Sequence, residues 1–337
     1  MGEIMQKTQP YTNNTRGKLR SVFRHENATL VIILLGLIFG IGGLTKGGTL
    51  TLGNASNVML QSSIRGIAAI GQCFVILTSG IDVSVGGNGL FCSTLGAALM
   101  STQWQGNLSN SLPMSFGVLL MLLAGLGWGA VNSTLVSRIG IPALISTLGL
   151  WQITYGGAFE ITQGSSIGGI PEGMTWWGQG NVAGVPVPVI IFVVVAVIAY
   201  YILNYTTYGR SIYATGGSPV SAWLSGINTN RVLFTVYLIS GFLAGLAGFV
   251  QLGRIMSASM TSLEGLELDS IAAVTIGGVS LFGGRGNLIG VIIGSLIIGV
   301  ANNGLSVLKA GPAVIRIVKG VIIIAAVSVD TVRRRRS

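Results

Sequence analysis

Reactive side chains are scarce in this sequence. It has one histidine, His25, in a basic N-terminal region, and two cysteines, Cys73 and Cys92, both in apolar runs that suit buried free thiols. A lone histidine there cannot build a Ser-His-acid set, and no His-Glu-x-x-His pair or cysteine cluster offers a metal ligand set. Gly-x-x-x-x-Gly-Lys-[Ser/Thr] is also absent, so the chain does not cradle nucleotide phosphates as a P-loop does. We expect no catalytic residue, metal or cofactor on this polypeptide. If ATP and magnesium drive its work, another polypeptide binds them.

Polar groups inside apolar runs are the remaining chemistry. Charge is expensive in hydrocarbon, so Arg65, Glu160, Arg316 and Lys319, with Asp82 and Asp269 at run ends, are functional suspects. They are sparse for a proton- or sodium-coupled carrier. Neutral polar residues are more suggestive: Gln61, Gln72, Asn132, Gln152, Tyr155, Asn302 and Asn303. Such groups can line a translocation path for an uncharged, hydroxyl-rich solute, orienting it without trapping it. The plainer alternative is hydrogen bonding between helices, about 0.6 kcal/mol per pair. The shortage of charge favours a neutral solute over a phosphate or a peptide.

These groups must be positioned by membrane helices. Half of the 337 residues are hydrophobic and 8% are charged, against about 25% charged in a soluble domain. Lipid must therefore cover the surface. With about 20 apolar residues needed per crossing, the chain reads as an all-α polytopic membrane protein with about ten transmembrane helices. The runs are 28–44, 57–79, 83–101, 113–137, 142–162, 185–205, 232–252, 268–283, 286–308 and 312–330. No small-residue cleavage site follows the first run, so it reads as a retained span. Residues 1–27 form an N-terminal tail, 28–330 the transmembrane domain and 331–337 a basic tail.

The net charge of +10 does not signal nucleic acid, because the cations lie at chain ends and in short loops. Lys7, Arg16, Lys18, Arg20, Arg24, Arg138, Arg210, Arg231, Arg285 and Arg333–Arg336 fall on one side; Lys46, Arg254 and Lys309 fall on the other. This bias places both termini in the cytoplasm. The Arg333–Arg336 run anchors topology or meets anionic lipid. Outward loops 163–184, with Trp176 and Trp177, and 253–267 could dock an external partner; paired Trp is also a common interface anchor.

Small residues recur four apart at Gly36/Gly40, Gly125/Gly129, Gly241/Gly245 and Gly290/Gly294, for close packing within the chain or between subunits. Two Gly-rich inward turns echo each other: 78–87, with Asp82, Ser84 and Gly86, and 277–286, with Gly283, Gly284 and Arg285. The longest inward segment, 206–231, is hydrophilic and about 26 residues long, where roughly 2–8 would join two helices. Within it Pro219 can start a short helix over 220–226 that Gly226 stops. A helix lying along the membrane there suits contact with a soluble partner.

Four motifs resemble one family. They are Ile76-Leu77-Thr78-Ser79-Gly80-Ile81-Asp82-Val83-Ser84-Val85-Gly86; Ile141-Pro142-Ala143-Leu144-Ile145-Ser146-Thr147-Leu148; Tyr208-Gly209-Arg210 through Gly226-Ile227-Asn228; and Leu268-Asp269-Ser270-Ile271-Ala272-Ala273-Val274 with Gly283-Gly284-Arg285-Gly286 and Asn302-Asn303-Gly304-Leu305. Over about residues 50–332 the chain resembles the membrane permease subunits of bacterial ribose-type ABC sugar importers. The resemblance implies a bacterial inner-membrane location and a second permease copy, identical or not. It also implies a cytoplasmic ABC ATPase, which binds the ATP and magnesium, and a periplasmic or tethered sugar-binding protein. Coupling to the ATPase would fall to Tyr208, Gly209, Arg210, Leu224, Ser225, Gly226, Ile227 and Asn228. The segment departs from the family pattern at Ser218-Pro219, which follow Gly216-Gly217, and at Trp223. The rival readings are a stand-alone carrier or facilitator for a small neutral solute and an integral-membrane enzyme; the dearth of buried carboxylates and of an acid–base set speaks against them.

Overall fold

Apolar runs of bilayer length can satisfy their backbone in lipid only by an internal hydrogen-bond ladder. The computed structural model is accordingly helical almost throughout. It describes residues 15–45, 47–108 and 111–336. Lys7 with the rest of residues 1–14, Lys46 and Ser337 lie outside the described residues.

In chain order the elements are α1 Thr15–Leu44, α2 Leu52–Leu77, α3 Ser84–Met100, α4 Met114–Thr134 continued by a π turn over Leu135–Ile139, α5 Ala143–Thr162 and α6 Gly173–Gln179. A two-residue hairpin follows, β1 Asn181–Val182 and β2 Val185–Pro186. Then come α7 Val187–Tyr205, α8 Thr207–Gly217, α9 Pro219–Leu224, α10 Thr229–Ile255, α11 Leu266–Ile276, α12 Leu288–Val307 and α13 Pro312–Arg336. Among the described residues, six helices are long and apolar enough to cross a membrane: Asn27–Leu44, Leu52–Leu77, Met114–Ile139, Val187–Tyr205, Thr229–Ile255 and Leu288–Val307.

Some expected boundaries move. The apolar run 268–283 does not stay helical: α11 ends at Ile276, and Gly278 takes a left-handed φ of +80°. Gly277 sits so close to α12 that a Cβ there would stand 2.6 Å from the Gly290 carbonyl carbon. Helix α1 starts at Thr15, inside the expected tail, and α13 stays helical through Arg336.

Packing relies on α2 and on small residues. Helix α2 is the bundle's central rod, with Ile67, Ala69, Ile70, Cys73 and Leu77 fully buried against α7, α10, α11 and α12. Helices α4 and α10 approach through facing glycines: a Cβ at Gly129 would stand 3.0 Å from the Tyr237 carbonyl oxygen, and one at Gly125 3.0 Å from Gly245 Cα. Close backbone approach of this kind supplies the contact that the hydrophobic effect cannot supply in lipid. Gly290 and Gly294 do the same against Ala273 and Gly277. Gly36 and Gly40 face no described atom within 4 Å of a built Cβ.

Loops gather at two ends. At one, Ile167 bridges Ala258, the Thr102 amide donates to Gly169 at 3.0 Å, and α6 lies against Gly253. At the other, α8 meets the Gly-rich turns after α2 and α11, and α9 follows it.

Candidate functional site

The hydrophilic segment is two helices, not one. Thr206 caps the first, its hydroxyl accepting from the Gly209 amide at 3.0 Å. Helix α8 then buries Ile212, Thr215 and Gly216 while Arg210 stays exposed. Its C-terminal end is wedged between the two Gly-rich turns. The Ser79 hydroxyl lies 2.9 Å from the Gly216 carbonyl and 2.7 Å from that of Phe282. The Gly284 amide donates to Leu77 at 2.9 Å, and Tyr213 donates to the Gly286 carbonyl at 3.2 Å. Only glycine fits at 216, because a Cβ would overlap the Leu77 carbonyl. Gly283 and Gly284 take φ of +79° and +70°, which favours glycine there too.

Helix α9 follows at once. Ser218 caps it, accepting from the Ser221 amide at 3.2 Å; Pro219 opens it; Gly226, at φ +84°, closes it. Only Ala222 is buried, while Val220, Trp223 and Leu224 are 69%, 65% and 73% exposed. A short helix with so apolar an outer face is built for a contact. Ser225, Gly226, Asn228 and Arg231 are exposed beside it, and Asn228 caps α10 through the Arg231 amide at 3.0 Å. Tyr208 bonds the Val232 carbonyl at 3.4 Å and ties α8 to α10. Burial pushes its phenol up to about 12 and raises Tyr213 as well, so both remain protonated donors near neutral pH.

Just inside this end, a buried network joins five helices. Asp82 accepts from the Ser84 amide at 2.9 Å, the Ser84 hydroxyl at 2.6 Å and the Ser240 hydroxyl at 2.7 Å. Asn132 donates to the Ser84 hydroxyl at 2.8 Å and accepts from Ser146 at 3.1 Å. The Gln72 amide pairs with the backbone of Asp82, donating to its carbonyl at 2.9 Å and accepting from its N–H at 3.2 Å. Asp82 thus accepts from the first residue of α3 and, through this network, links α3 to α2, α4, α5 and α10.

A second cluster lies toward the opposite end. Asp269, buried in the first turn of α11, accepts from Arg65 Nε of α2 at 2.8 Å, Lys319 Nζ of α13 at 2.9 Å and Asn302 Nδ2 of α12 at 3.3 Å. Arg316, one turn before Lys319, pairs with Glu264. Glu267, half-buried over Gly86, has its carboxyl raised by burial.

The expected path residues divide between these places. Gln72 and Asn132 join the Asp82 network; Gln61 and Asn302 lie at the Asp269 cluster. Asn303 exchanges hydrogen bonds of 2.9 Å with Asn54 of α2. Gln152 and Tyr155 lie on the exposed face of α5, where Tyr155 stacks on Trp151 at 5.4 Å. Arg285 is exposed in its turn. The sequence marked Arg65, Asp269 and Lys319 singly as suspects. Their union was not visible, because the partners stand 204 and 50 residues apart.

Residues 54–327 match the family described as branched-chain amino acid transport system / permease component. The chain belongs to that family. Among its relatives this permease is 40% identical to a ribose import permease of Escherichia coli K12 over 284 residues, which are 83% of this chain and 86% of that protein. It is 36% identical to a fructose import permease of Rhizobium meliloti over 313 residues, 89% of this chain and 84% of the other. It is 37% identical to a D-allose transport permease of Escherichia coli K12 over 298 residues, 88% and 89% of the two chains. No solved structure matches it. The chain is therefore a multi-pass inner-membrane permease, the transport component of its system and not an enzyme.

Proposed function

We propose that this permease is the membrane subunit of an ATP-driven importer of a sugar, a ribose-like monosaccharide. It works with a second permease copy, a cytoplasmic ABC ATPase and a sugar-binding protein outside the membrane. About ten spans carry both termini in the cytoplasm, a reading supported by the charge bias along the chain and by the gathering of loops at two ends.

The exposed Val220–Trp223–Leu224 face of α9, which follows directly on the α8 end wedged between both Gly-rich turns, carries this reading. Nucleotide-driven closure of the ATPase pushes α9. Helix α8 passes the movement to Ser79 and Gly284, hence to the ends of α2 and α11. The Asp82 network then distributes it to α3, α4 and α10. Packed helices switch between discrete arrangements, so a small shift here can open the bundle.

Reconstitution tests this. Proteoliposomes holding the permease with its ATPase and binding protein are expected to take up D-ribose, D-fructose or D-allose only with ATP and the loaded binding protein. Equal uptake by the permease alone, without ATP, would establish the facilitator reading instead.

A further inference from the structure

The Asp269 cluster borders a polar cavity of about 160 Å³, walled by Gln61, Arg65, Gln251, Arg254, Glu264 and Asp269. Arg254 also borders a wider opening of about 420 Å³ that reaches Asn57, Gln179 and Asn181 at the loop-rich end away from α9. Asn57, Gln61 and Arg65 are spaced four residues apart on α2, so they stack along one helix face and run from the opening into the cavity.

Two groups on this wall stand without partners among the described residues. The Gln61 side-chain amide makes no hydrogen bond, and the half-buried Arg254 guanidinium has neither a carboxylate nor a carbonyl. Both are half-buried at the cavity wall, so their hydrogen-bonding groups are open to whatever enters it. Below them the route is closed: Ala68 is buried, and at Gly71 helices α2 and α10 touch, a built Cβ standing 3.1 Å from Ser240 Cα. The polar face of α2 resumes only at Gln72, in the Asp82 network.

The wall carries both signs of charge. Glu264 and Asp269 repel an anion, and Arg65 and Arg254 repel a cation. Hydroxyl groups, which donate and accept at once, fit such a wall. We infer that this cavity is a transient sugar subsite within the permease. Gln61 and Arg254 hold the ring hydroxyls of one monosaccharide there, after its release from the binding protein and before the α2–α10 contact at Gly71 opens. Asp269 acts as a positioning residue that fixes Arg65 in the wall. The inference rests on the sugar-import reading and adds a place on the path.

Two measurements on the whole importer test it. In proteoliposomes, Gln61→Ala and Arg254→Gln are each expected to lower D-ribose carried per ATP hydrolysed at least tenfold. An unchanged ratio, or uptake and hydrolysis falling in parallel, overturns the subsite. The second measurement needs no transport: in Thr261→Cys, a wall position that leaves Gln61 and Arg254 in place, D-ribose at high concentration should slow labelling by a small impermeant thiol reagent at least fivefold. Sucrose, with two rings, should not. If the wild type carries none of D-ribose, D-fructose and D-allose, the import reading fails by itself. The labelling still decides the cavity, and protection by none of the three sugars refutes it.

Discussion

Replacing Asp269 with Asn removes one negative charge and keeps the side chain's shape. The carboxylate is 4% exposed and holds Arg65 at 2.8 Å and Lys319 at 2.9 Å. Removing one partner of a fully buried ion pair costs about 3–5 kcal/mol, since the remaining charge is left uncompensated. The two cations here are 22% and 19% exposed, so water screens part of that, and we expect Asp269→Asn to destabilise the fold by about 2–4 kcal/mol. Lys319→Gln removes one stranded cation and should restore part of the loss. The double-mutant cycle should show a coupling of about 1–2 kcal/mol. Unfolding of the purified permease by SDS in mixed micelles, followed by tryptophan fluorescence, measures each term. A loss under about 0.5 kcal/mol for Asp269→Asn, which is within the range of an ordinary surface substitution, would refute the reasoning. So would strict additivity with Lys319→Gln.

Two further outcomes follow from the geometry. Gly216→Val should lower ATP hydrolysis stimulated by the loaded binding protein at least fivefold while the importer still assembles, because its side chain drives α8 off Leu77 and Gly284; Gly217→Ala, which meets no atom within 4 Å, should stay within twofold. Glu267 has its folded pKa raised by burial, so the folded state binds more protons than the unfolded one between the ordinary and raised values. Stability should therefore fall as pH rises through that window; Glu267→Gln should flatten the fall, and denaturant titrations from about pH 4 to 8 measure it.

Much of this was legible from residue order. Apolar length located the helices, and the Asp82 and Gly283–Gly284 turns stood out as an echo before they were seen to meet at α8. Pro219 and Gly226 marked the short helix α9. Helix α8 was not legible, because its buried face packs on turns contributed by residues far from it in sequence, and local polarity reads there as loop. The break of α11 was hidden for a similar reason: Gly277 abuts α12, a contact that hydropathy does not record. The expectation of a path without charge also changes at Gln61. That amide stands beside Arg65, Arg254 and Asp269, charges that three separate helices bring together. Gln152 and Tyr155, equally plausible as path residues by type, lie on the outer face of α5.

The coupling account depends on which side of the membrane α9 faces. Trp223→Cys places a thiol at its most exposed aromatic position, with Cys73 and Cys92 buried and silent. A membrane-impermeant thiol reagent should label it in inverted vesicles and leave it unlabelled in intact cells, and addition of the ATPase should block the labelling. Labelling in intact cells would put α9 outside and contradict the account.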